Sequence, residues 1–84
     1  MDTCKIAYDF LLSNDFQGIY KFIDIGDLHV FFGGNPDETY YGIRTVSVDK
    51  KTGYVDLYNS YENKEILKNG KEIDIPKEYM YKAS

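Results

Sequence analysis

The sequence predicts an α+β fold: an N-terminal helix packed in two layers on an antiparallel sheet of four or five strands. Three observations carry that expectation. Apolar residues recur at helical spacing over residues 3–13, and from Ile19 onward the period drops to two. Short turn signals, Gly26-Asp27 and Lys50-Lys51-Thr52-Gly53, join consecutive strand-like runs. Eighty-four residues hold one domain, residues 1–84, and one core.

In chain order, the helix comes first. Cys4, Ala7 and Leu11 form an apolar stripe with Ile6 and Phe10 beside it, and Lys5 and Asp9 face water at i, i+4. Asp2 or Thr3 offers an oxygen to the first free N–H groups, and Ser13-Asn14-Asp15 ends the helix. Residues 18–25 read as a strand with Ile19, Lys21, Ile23 and Ile25 on one face and Tyr20, Phe22 and Asp24 on the other. Leu28 to Phe32 is its hairpin partner, and Gly33-Gly34-Asn35-Pro36-Asp37-Glu38 reads as a loop.

The third strand runs from Tyr40 to Asp49, with Tyr40, Gly42, Arg44, Val46 and Val48 on one face and Tyr41, Ile43, Thr45 and Ser47 on the other. Gly53 suits a left-handed turn position leading into a fourth strand from Tyr54 to Asn59. Asn69-Gly70 has two readings. It stops a short helix that Ser60 caps and that runs to Lys68, or it turns a hairpin between residues 65–68 and 71–75. The helix followed by an extended Lys71–Ile75 is the preferred reading, with Tyr79 and Tyr81 docking the chain end. The sheet face away from the first helix is then open or used for contact.

Composition narrows the function classes. Fourteen acidic residues against ten basic give a net charge of -4, which disfavours direct contact with nucleic-acid phosphates and suits a basic protein partner. Cys4 is the only cysteine, so no internal disulfide forms, and a reducing cytoplasm is the expected location. No signal-peptide pattern opens the chain, and no apolar run approaches the ~20 residues of a membrane span.

Candidate chemistry is sparse. His29 is the single histidine, lies within a strand, and reads as a hydrogen-bonded structural residue; a Ser–His–Asp or Cys–His set would have to use it. Cys4 falls on the apolar stripe and reads as a small buried hydrophobe, against a reactive thiol in the first helical turn. One histidine and one cysteine cannot close a standard zinc site, and the carboxylates form no calcium loop. Gly33-Gly34-Asn35-Pro36 lacks the residues of a phosphate loop. No cofactor is expected.

The aromatic residues are the most informative set: nine Tyr and five Phe. Tyr40, Tyr54, Tyr58 and Tyr61 gather around the third and fourth strands. With Arg44 they would build a Tyr/Arg surface, rimmed by Asp56 and Glu62, of the kind that dominates protein interfaces. The alternative is that these rings pair across strands and serve the sheet alone.

The run from the helix through Val30-Phe31-Phe32-Gly33-Gly34 to Val46-Ser47-Val48-Asp49-Lys50-Lys51-Thr52-Gly53-Tyr54-Val55 resembles small α+β immunity-protein families of bacterial polymorphic toxin systems, over residues 4–60. The resemblance implies a helix on an antiparallel sheet and a role in binding and blocking a cognate toxin. It carries over no catalytic residue. The expected function is therefore inhibition of a toxin or effector enzyme by direct binding, without enzymatic activity. A phage or mobile-element protein that blocks a host defence nuclease shares the same physics. A homo-oligomeric structural protein paired through a strand edge is the third reading.

Overall fold

The computed structural model describes residues 2–16, 18–34 and 43–81. Helix α1 spans Thr3–Ser13, followed by strands β1 (Ile19–Asp24), β2 (Leu28–Gly34), β3 (Ile43–Asp49) and β4 (Val55–Leu57). Helix α2 (Lys64–Lys68), strand β5 (Lys71–Glu72) and a 3-10 turn (Lys77–Tyr79) complete the chain. The five strands form one antiparallel sheet in the order β4-β3-β2-β1-β5.

The start of α1 follows from Asp2, whose side chain accepts from the Lys5 N–H at 3.1 Å. Cys4, Ala7 and Leu11 are buried against Ile19, Phe22, Phe31, Val46 and Val48, which make the core. Gly33 explains how closely the helix approaches. A methyl group there would stand 2.5 Å from Leu11 Cδ1, so the absent side chain is the space Leu11 fills. Gly33 and Gly34 pair with Arg44 and Ile43 and so belong to β2, not to a loop as expected. The remainder of the expected loop, and Tyr40, Tyr41 and Gly42 of the expected third strand, lie outside the described residues.

Strand β1 departs from strict alternation. An irregularity in its pairing with β2 between Ile19 and Lys21 shifts the phase, so Ile19 and Phe22 share the core face, while Ile23 is buried outside that cluster. A bulge is invisible to a period-two reading, which placed Ile19 and Ile23 together.

Both hairpins form. Asp49 Oδ1 accepts from the N–H groups of Lys51 and Thr52, and Gly53 takes φ 78°, the left-handed position the turn requires. In the tail, tertiary context selects the helix: residues 71–72 pair with β1 instead of folding back on residues 65–68. Ser60 does not cap α2. The N-cap is Asn63, which makes no side-chain cap bond. Tyr79 docks on Tyr8 with ring centroids 5.1 Å apart, and the Tyr81 N–H donates to the Ile19 carbonyl.

The sheet order has a topological consequence. Strands β4 and β5 occupy opposite edges, so the segment joining them must cross the sheet. Helix α1 already covers one face, and residues 58–70 run over the other. Gly70 comes so close to β1 that a Cβ there would stand 2.5 Å from Ile23 Cγ2. Val30, Thr45 and Ser47, whose register puts them on that second face, are buried. The face expected to be open is thus crossed by the chain itself.

Candidate functional site

Three places hold the side chains from which a function could be built. The first surrounds His29. Its Nδ1 lies 2.7 Å from Thr3 Oγ1 and its Nε2 3.2 Å from Asp24 Oδ2, while Lys50 Nζ reaches the same carboxylate oxygen at 3.1 Å. The imidazole stands edge-on to Phe22, with centroids 4.9 Å apart. The Gly26 N–H and then the Lys50 ammonium hold the Asp24 carboxyl down at about 2. Thr3, His29 and Asp24 thus form a nucleophile–imidazole–carboxylate chain in outline. Thr3, however, is buried in the first turn of α1, where its hydroxyl is directed at the imidazole. The arrangement ties the start of α1 to the ends of β1 and β2, and His29 is hydrogen-bonded within its strand as expected. Beside it, burial first and then the charges of Asp2 and Glu78 push the Cys4 thiol up to about 11. At neutral pH it is a protonated, buried side chain, as its place on the apolar stripe implied.

The second place is the β4 edge, which carries most of the expected binding residues. Val46 faces Leu57, Ser47 faces Asp56 and Val48 faces Val55. This register divides the expected Tyr/Arg surface. Arg44 keeps the phase of Val46 and Val48 on the helix-covered face, its guanidinium carbon 5.7 Å from the Phe16 ring centre. Asp56, with the phase of Tyr54 and Tyr58, lies on the opposite face. Arg44 is therefore not brought together with Tyr54 and Tyr58, and Tyr40 lies outside the described residues.

Around the edge, Tyr54 is 68% exposed, Leu57 55% and Tyr61 78%. Tyr58 is half-buried, and burial raises its phenol. Glu62 is exposed in the turn after β4, its N–H bonded to Asn59 Oδ1. Among the described residues Tyr54, Tyr58 and Tyr61 stack on no other aromatic ring.

The backbone of this edge is partly closed. Tyr54 and Tyr58 bond to β3 through their main chains, so alternation turns the N–H groups of Val55 and Leu57 outward. Asp56 Oδ1 accepts the Leu57 N–H at 2.8 Å. A carboxylate on the edge thus occupies one donor that an added strand would need.

The third place is a groove of about 310 Å³ where the 60–68 segment crosses β1 and β2. Phe32, Ile23 and Leu67 line it, with Lys21, Lys64 and Lys68 at its margin. Sequence reading missed it because Lys21 and the α2 lysines are far apart along the chain. The i, i+4 spacing of Lys64 and Lys68 was the one local signal.

Among the described residues no three His, Cys, Asp or Glu side chains gather as metal ligands do, and no helix is long and apolar enough to cross a membrane. No protein family, curated protein or solved structure matches the chain.

Proposed function

We propose that this protein is a binding inhibitor that neutralises a toxin or effector enzyme by direct contact through the β4 edge. One observation carries the reading. Tyr54, Leu57 and Tyr61 expose most of their surface around an edge strand, without serving the core or one another. Large amphipathic rings with two side-chain torsions lose little freedom on contact, and tyrosine is enriched in interface hot spots. Asp56 and Glu62 beside them, on a chain of net charge -4, favour a basic partner and would speed its association. The capped Leu57 N–H argues for recognition by side chains over strand addition, and so against a homodimer built on this edge. The likeness of residues 4–60 to immunity proteins points the same way.

The test is capture of a basic enzyme by the tagged chain from the native host, followed by assay of that enzyme with purified protein. Wild type is expected to inhibit it. The pair Tyr54→Ala with Tyr61→Ala is expected to weaken inhibition by about 100-fold, given two hot-spot truncations of about 1–2 kcal/mol each. Full inhibition by that variant would remove the β4 edge from the interface, and failure of wild type to inhibit any captured enzyme would remove the proposed role.

A further inference from the structure

The groove on the second face has a composition that the rest of the surface does not lead one to expect. Acidic residues outnumber basic ones by fourteen to ten along the chain, yet among the described residues the groove is lined by three lysines and no Asp or Glu. None of the three ammoniums forms an ion pair among the described residues, whereas Lys5 and Lys50 each meet an aspartate. Like charges gathered around one hollow repel each other, and a bound anion relieves that repulsion.

The hollow is also amphipathic. Phe32 contributes an aromatic ring steadied by Tyr20, with centroids 5.9 Å apart. Lys21 Nζ stands 5.8 Å from the Phe32 ring centre, so positive charge lies directly beside the apolar lining. Lys64 rests over Tyr61 at 4.4 Å, and Ser60 is also part of the lining. A volume of about 310 Å³ matches the lower end of small-molecule sites, roughly 300–1,000 Å³.

We propose that this groove binds a small organic anion with a flat apolar body, the class to which nucleoside monophosphates belong. The body lies against Phe32, Ile23 and Leu67, and the anionic group meets the ammoniums of Lys21, Lys64 and Lys68. This site uses none of Tyr54, Asp56 or Leu57; it touches the proposed inhibitory contact only where Lys64 rests over Tyr61, and the lysine variants leave that ring in place.

The experiment is an amide-shift titration of the full chain with AMP, adenosine, inorganic phosphate and anilinonaphthalene sulfonate. AMP and the sulfonate are expected to saturate one site, moving the amides of Lys21, Phe32, Leu67 and Lys68. Adenosine and phosphate, each holding half of the recognised chemistry, are expected to bind at least about tenfold more weakly. Lys64→Gln with Lys68→Gln should weaken AMP about tenfold at low salt and leave adenosine unchanged, because only charge is removed. Both lysines are exposed, so the fold should survive, and an unchanged melting curve would establish that. The proposal is overturned if neither AMP nor the sulfonate saturates, if the shifts fall outside the groove, or if the double variant binds AMP as wild type does.

Discussion

Both faces of the sheet are covered by the chain, but by segments of different kinds. On one face α1 buries Cys4, Ala7 and Leu11 against Phe31, Val46 and Val48. On the other, the 58–70 segment carries a five-residue helix with no buried residue and leaves a lysine-bordered groove beneath it. The first face is sealed by apolar contact, so it supplies the stability of a small domain. The second is crossed because β4 and β5 lie on opposite edges. Its side chains are therefore less committed to the core, and both proposed contact surfaces belong to it or border it.

The comparison is broken most directly by truncating a leucine on each side. Leu11→Ala is expected to cost about 2–5 kcal/mol in urea unfolding, since Leu11 is fully buried and its neighbours have little room to collapse. Leu67→Ala, in the half-buried groove lining, should cost less than about 1 kcal/mol. Equal losses would mean that the two coverings contribute alike. Next in size is Gly33→Ala, expected to cost about 1–3 kcal/mol because the new methyl group meets a leucine that cannot swing into solvent. In the Leu11→Ala background the same change should cost nothing or recover stability, as the methyl group enters vacated space. Additive losses would show that Leu11 is not what excludes a side chain at Gly33.

Asp24 sharpens the contrast through pH. The Gly26 N–H and the Lys50 ammonium hold its carboxyl near 2 in the fold, against an ordinary value of 3.8. Between those values the unfolded chain binds more protons, so stability rises with pH there. The contribution is complete above about pH 4 and lost as pH falls through about 2. A quarter of the side chain remains in water, so about 1 kcal/mol is expected. Asp24→Asn should flatten the dependence of the urea midpoint between pH 2 and 4. An unchanged slope would show that the carboxylate contributes nothing through ionisation.

Much of the sealed face was legible in the sequence, because its signals are local. The helix stripe of Cys4, Ala7 and Leu11, the Asp2 cap and the Asp49–Gly53 turn each follow from residues a few positions apart. Those residue types have narrow conformational preferences. What was missed depends on long-range geometry. The β1 bulge moves Ile23 out of phase with Ile19, and nothing in the alternation marks it. Arg44 was grouped with Tyr54 and Tyr58 because they are near in sequence and chemistry, yet the β3–β4 register sends them to different faces. The lysine groove needed the strand order itself, since only opposite edges force the 58–70 segment across β1 and β2. The tyrosines at the β4 edge lie between these cases. Their abundance was visible, but their exposure was not, because the same pattern serves a stacked cross-strand pair equally well.

The smallest expected effect tests whether the exposed rings contribute to the fold at all. Tyr61 is 78% exposed, and its one aromatic or cation–π contact among the described residues is the Lys64 ammonium, 4.4 Å from the ring centre. A cation–π contact at so wet a position adds about 0.5–1 kcal/mol at most, and part of that returns as side-chain freedom when the ring is removed. Tyr61→Ala should therefore shift stability by no more than about 0.5 kcal/mol, and Tyr54→Ala should behave alike at 68% exposure. If both variants unfold with wild-type midpoints, these rings are free to be spent on a partner. A loss of 2 kcal/mol or more, of the size that burying a large side chain brings, would make them structural and move the interface away from β4.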